Sequence, residues 1–130
     1  MTMRSLYTLA LSILLFSLTS CLKKTYDDGP RISFLSKDDR LCREWQIDEV
    51  NGQPFPTNTT WDFEEDGDLD VITNVNGTNN ANTWYWFWNS DKSGIIVSMP
   101  GGSEIDISRL TRSELHFDIG GDEYKCSANN

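Results

Sequence analysis

The stretch "TWYWFWN" (Thr83 to Asn89) sets five aromatic side chains in a row and holds three of the chain's five Trp. Side chains alternate across a pleated strand, so Trp84, Trp86 and Trp88 share one face while Tyr85 and Phe87 share the other. A face of large flat rings either fills a core or holds a flat or acyl ligand by stacking and apolar contact. The pair on the opposite face offers an interaction patch to a protein or glycan partner. The acids of "DFEEDGDLD" (Asp62 to Asp70) lack the alternating ligands and closing bidentate Glu of a calcium loop. Asp62, Glu64, Asp68 and Asp70 fall instead on one wet face of a hairpin. His116 is the only His, and no Ser, His and Asp set stands in a nucleophile turn. The expectation is therefore no catalytic residue, no metal and no cofactor, with a carboxylate pair for glycoside cleavage as a distant alternative.

These groups must be positioned in some compartment, and the first twenty residues speak to that. Arg4 gives a positive start, Leu6 to Leu18 is an apolar run of about 13 residues, and "LTSC" (Leu18 to Cys21) follows. The run is short of the roughly 20 residues needed to span a bilayer, so it reads as a secretory signal. Its ending resembles the lipobox of bacterial lipoproteins, in which the Cys21 thiol takes a diacylglycerol and the new amino terminus is acylated. The alternative is an ordinary signal cut near Ser20 that leaves Cys21 free. Several acyl chains hold a protein firmly where one holds it marginally. The expected order is a signal peptide over 1–20, the lipidated Cys21 with a flexible tether over 21–35, and a β domain over 36–130.

The chain has 11 basic and 20 acidic residues, and removal of residues 1–20 takes Arg4 and no acid. A charge of about −10 argues against a nucleic-acid partner, and it leaves membrane attachment to the lipid alone. Asp27 and Asp28 just after the anchor loosely match acidic export signals of surface lipoproteins, which leaves the periplasmic or the surface side of the outer membrane open.

From Cys42 onward short segments alternate with turn signals, and no apolar period of 3.6 persists for ten residues. Strands are expected at 43–50, 58–65, 68–75, 83–89, 94–99, 104–110, 113–119 and 122–127, parted by turns such as Asn51-Gly52, Asp66-Gly67, Asn76-Gly77 and Gly120-Gly121. Ser36 with Asp39 three residues on forms a capping box for one helical turn over 36–41. Short connections favour an all-β, small eight-stranded antiparallel up-and-down β-barrel, because closure removes exposed edges; a two-sheet sandwich is the alternative. Closure sets the first and last strands side by side. The expectation is a Cys42–Cys126 disulfide across that seam, closing an 85-residue span and stabilising by about 2 to 5 kcal/mol. Two free thiols are the other outcome.

Four stretches, "DGPRISFLSKDDRLCREWQIDEVNGQ" (Asp28 to Gln53), "WDFEEDGDL" (Trp61 to Leu69), "WFWNSDKSGIIV" (Trp86 to Val97) and "ISRLTRSELHF" (Ile107 to Phe117), occur in an order that resembles the lipocalin-like lipoproteins of Bacteroidetes. The resemblance implies a lipid-anchored eight-stranded barrel and supplies no catalytic residue. It also implies that Trp86 and Trp88 point inward, with Trp84 alongside. Trp45, Trp61, Phe63, Phe117 and Tyr124 would join them, either as a filled aromatic core or as the wall of a narrow pocket for a small apolar or amphipathic ligand. Tyr85 and Phe87 would then face outward, and surface loops such as Asn76 to Asn82 and Pro54 to Asn58 would make contacts if the barrel is a scaffold for an envelope partner.

Overall fold

The structure, a computed structural model, describes residues 34–129. The signal segment, Cys21 and most of the tether lie outside the described residues. Ser36 opens the described chain as a helix cap: its Oγ accepts from the Asp39 amide (3.0 Å) while the Asp39 carboxylate accepts from the Ser36 amide (3.2 Å). This reciprocal capping box starts the single-turn helix α1 (Lys37–Leu41).

After α1 come β1 (Glu44–Val50), the two-residue β2 (Gln53–Pro54), β3 (Asn58–Phe63), β4 (Asp68–Val75), β5 (Thr78–Trp88), β6 (Gly94–Val97), β7 (Ser103–Leu110), β8 (Glu114–Ile119) and β9 (Asp122–Ala128). Every pairing is antiparallel, each long strand lies beside its neighbour in sequence, and β9 returns to β1. The result is a closed eight-stranded up-and-down barrel with β2 as an extra strand folded onto the end of β1. Direct β1–β9 pairing decides for the barrel over the sandwich.

Alternation assigns the inside. Trp45 and Ile47, Trp61 and Phe63, Leu69 and Val71, Ile105 and Ile107, and Leu115 and Phe117 are all buried in one core, while acids between them stay at least partly exposed. On β3 and β4 this brings Asp62 directly opposite Asp70 on the outer face. Burial, then Glu44 and Asp70, raises the carboxyl of Asp62 above its usual range.

Two differences from the sequence reading carry physical reasons. Residues 76–82 are not a loop: Asn76 and Gly77 (φ 52° and 81°) make a two-residue turn, and β5 begins at Thr78. Its polar first half has no apolar alternation to betray it and is held by the ladder to β4, with Asn74 Nδ2 donating to Asn79 Oδ1. The second difference is a correction: Cys42 and Cys126 are both free. The seam forms, but Cys126 stands opposite Ile47 on β1 and Leu115 on β8. From Ile47 back to Glu44 the strand already advances roughly 10 Å, beyond the about 7 Å Cα separation that a disulfide tolerates. Cys42 lies farther still, past the start of β1.

Candidate binding cavity

Strand directions give the barrel two unlike ends. At one end β1, β4, β6 and β8 begin, and α1 closes it. Arg40, itself buried, donates from Nη1 to the Leu110 carbonyl (3.0 Å), and Trp45 Nε1 donates to the Leu41 carbonyl (2.9 Å). Trp88 Nε1 donates to the Asp38 carboxylate, and the ammonium groups of Lys37 and Lys92 each lie 6.0 Å from its ring centroid. Leu41, Trp45, Phe63, Leu69, Ile95, Leu110 and Leu115 fill this half, each no more than 2% exposed.

The other end is open because β1 and β3 part company. They pair only from Glu44 to Gln46, after which β1 turns toward β9 and β2. Gln46 Nε2 spans the split, donating to the carbonyls of Thr59 (3.2 Å) and Ile47 (3.3 Å). The connection after β2 then crosses the mouth, where the Phe55 amide donates to the Asp48 carbonyl (2.8 Å) and its ring packs 6.2 Å from Tyr124.

Under this crossing lies a cavity of about 380 Å³. Its apolar wall includes Ile47, Val71, Met99 and Ile119, and its aromatic wall is Phe55, Trp61, Trp84 and Tyr124. Three threonines supply a polar strip: Thr59 Oγ1 lies 2.9 Å from Thr57 Oγ1 and 3.2 Å from Thr73 Oγ1. Aromatic contacts run from the mouth to the plug. Tyr124 stacks on Phe117 (5.2 Å, 15°) and Phe117 on Trp61 (5.2 Å, 25°). Phe63 follows, and then Trp86 and Trp88, through two edge-on contacts of 5.6 and 5.8 Å.

The residues singled out in the sequence therefore divide by depth. Trp61, Trp84 and Tyr124 line the cavity. Phe117 backs its wall, whereas Trp45, Phe63, Trp86 and Trp88 pack in the closed half. Tyr85 and Phe87 face outward, 65% and 56% exposed, opposite Asp68 and Ile96 respectively. Sequence reasoning passed over Phe55 and the three threonines. The signal for two of them was present: Thr59 precedes Trp61 by two residues and Thr73 follows Val71 by two, which places hydroxyls on the inner face.

Apart from Tyr124, the titratable groups with shifted pKa values stand outside the cavity wall. Burial and the acids Asp38, Glu65, Asp39 and Asp62 push the Cys42 thiol up to about 11, and burial raises that of Cys126 further. His116, on β8, has its imidazole pKa lowered chiefly by burial.

Solved structures share the architecture. A crystal structure of a lipocalin-like protein from Bacteroides uniformis ATCC 8492 matches with a TM-score of 0.60 at 12% identity, covering 69% of this chain and 99% of the other. An uncharacterized protein from Bacteroides eggerthii DSM 20697 matches with a TM-score of 0.57 at 11% identity, covering 68% and 99%. Identity this low establishes the fold alone, which is lipocalin-like. No protein-family model and no curated protein matches the sequence.

Proposed function

We propose that this protein is a non-catalytic binder of a small apolar or amphipathic ligand, exported and held at the outer membrane by lipid on Cys21. The cavity of about 380 Å³ at the open end carries this reading; small-molecule sites occupy roughly 300 to 1,000 Å³. Binding is favoured over catalysis because the wall offers indoles, a phenol and threonine hydroxyls but no carboxylate, imidazole or thiol. The anchor rests on the apolar run and "LTSC" ahead of Cys21.

A titration of Trp emission with uncharged and charged lipids and small aromatics tests the binding. A saturable change that Trp84→Ala weakens, in a folded variant, supports it. For the anchor, labelling cells with an alkyne fatty acid should tag the wild-type chain and leave Cys21→Ser untagged.

One observation favours a second reading, a scaffold for an envelope protein or glycan: Tyr85 and Phe87 stand exposed on the outer face of β5. Two exposed aromatics are common on folded proteins, so this reading ranks below the cavity.

A further inference from the structure

Five Trp differ in what their indole N–H groups do. Those of Trp45, Trp86 and Trp88 donate to the Leu41 carbonyl, the Glu64 carbonyl and the Asp38 carboxylate. Trp61 and Trp84, the two that line the cavity, donate to no partner among the described residues. Neither nitrogen is sealed away, since among the described residues Arg43 Nε alone is a sealed side-chain polar atom without a partner. Indole donates and cannot accept. The threonine strip adds another donor: three hydroxyls joined by two hydrogen bonds always leave one O–H unused, whichever way the bonds run. Residues lining the cavity thus carry two indole donors and one hydroxyl without an acceptor among the described residues.

Charge restricts which acceptor. No Lys, Arg or His lines the wall. Around the mouth stand Asp48 and Glu49 at the end of β1, Asp118 near the end of β8, and Asp122 and Glu123 at the start of β9. Lys125 is the one described base on that side, and it already lies 3.8 Å from Glu123. Of the remaining described bases, Lys37, Arg40, Arg43, Lys92 and Arg112 belong to α1 and the connections of the closed end, while Arg109 lies near the end of β7 and His116 near the start of β8, on the closed side. Tyr124 samples these surroundings directly: burial and then Asp122 raise its phenol above the ordinary range, so its anionic form is disfavoured.

We infer that the cavity selects an uncharged ligand, a flat apolar body carrying a hydrogen-bond acceptor such as a carbonyl, and excludes carboxylate amphiphiles. This rests on the binding reading above and names the chemical class of guest. A carbonyl satisfies the indole donors and enters without a charge to desolvate. A carboxylate would meet the same donors, but it would lose its hydration with no counter-ion in the wall and acids at the entrance.

Three near-isosteric probes separate the cases in calorimetric titration of the full chain at neutral pH: 2-acetylnaphthalene, 2-naphthoate and (2-naphthyl)methylammonium. The ketone should bind at least about tenfold tighter than the carboxylate, given the cost of burying an unpaired charge. Trp84→Phe keeps a ring and removes a donor, so it should weaken the ketone several-fold. Naphthoate within threefold of the ketone, or the ammonium binding tightest, overturns the inference while leaving a binding cavity in place. Unchanged ketone affinity in both Trp84→Phe and Trp61→Phe overturns the donor assignment. Failure of all three probes to bind overturns the binding reading itself.

Discussion

Trp84 and Trp86 stand two residues apart on the same face of β5, yet one lines an open cavity and the other is sealed in the core with its Nε1 on the Glu64 carbonyl at 3.1 Å. Truncation should separate them. Trp86→Ala should cost about 3 to 5 kcal/mol, the usual penalty for deleting a buried aromatic. The half-buried Trp84 should cost less, about 1 to 2 kcal/mol, since its site already borders open space. Urea denaturation of both variants gives the comparison, and equal losses would contradict the division by depth.

Cys42 and Cys126 should be free thiols in protein purified without reductant. Mass analysis after thiol blocking should add two blocked groups in the unfolded chain with or without prior reduction. Because folding raises both thiol pKa values, they favour the fold fully below the ordinary value of 9.0 and lose that contribution as pH rises. For Cys42 the window runs from about 9 to about 11. Alkylation of the native protein at pH 8 should be slow at both, and slower at the buried Cys126.

Asp62 faces Asp70 across the β3–β4 pair. Like charges directly opposite destabilise a sheet, so Asp62→Asn should raise stability at pH 7 by about a few tenths of a kcal/mol, a figure already reduced for solvent screening. The sign follows from the raised pKa: the wild-type penalty is present at neutral pH and relaxes as pH falls through the raised value toward 3.8 and below. Variant and wild type should converge there, and high salt should reduce the part of the difference that comes from Glu44 and Asp70.

Ser36→Ala removes the hydroxyl arm of the cap on α1, leaving the backbone arm from the residue 36 amide to the Asp39 carboxylate, and should cost about 1 kcal/mol. Hydrogen exchange should rise in α1 while residues around the cavity, at the opposite end of the barrel, stay protected. Ligand titration should not change.

Most of the fold was legible because its signals are local. Asn51-Gly52 and Asn76-Gly77 mark turns by the positive φ they need, Ser36 and Asp39 mark a helix start, and two-residue alternation sorts Trp84, Trp86 and Trp88 from Tyr85 and Phe87. Depth along the barrel was not legible. Alternation says whether a side chain points in or out, but how far it sits from either end depends on cross-strand register. That register sets Trp84 opposite Leu69 and Trp86 opposite Val97, and nothing within "TWYWFWN" encodes it. The cysteines show the same limit. Their strands are neighbours as expected, but the offset along the seam pairs Cys126 with Ile47. The mouth was hidden for a related reason: it is formed by β1 leaving β3 after Gln46 and by Phe55 crossing over, both consequences of long-range pairing.

The central claim is that the open end of the barrel receives an uncharged guest. Its most direct measurement is calorimetric titration of 2-acetylnaphthalene into the wild-type chain and into Val71→Trp, whose new ring grows into the cavity. The account predicts saturable one-to-one binding to wild type and at least about tenfold weaker binding to the filled variant, provided that variant unfolds cooperatively. Absence of binding to wild type, or equal affinity in the two chains, would contradict it.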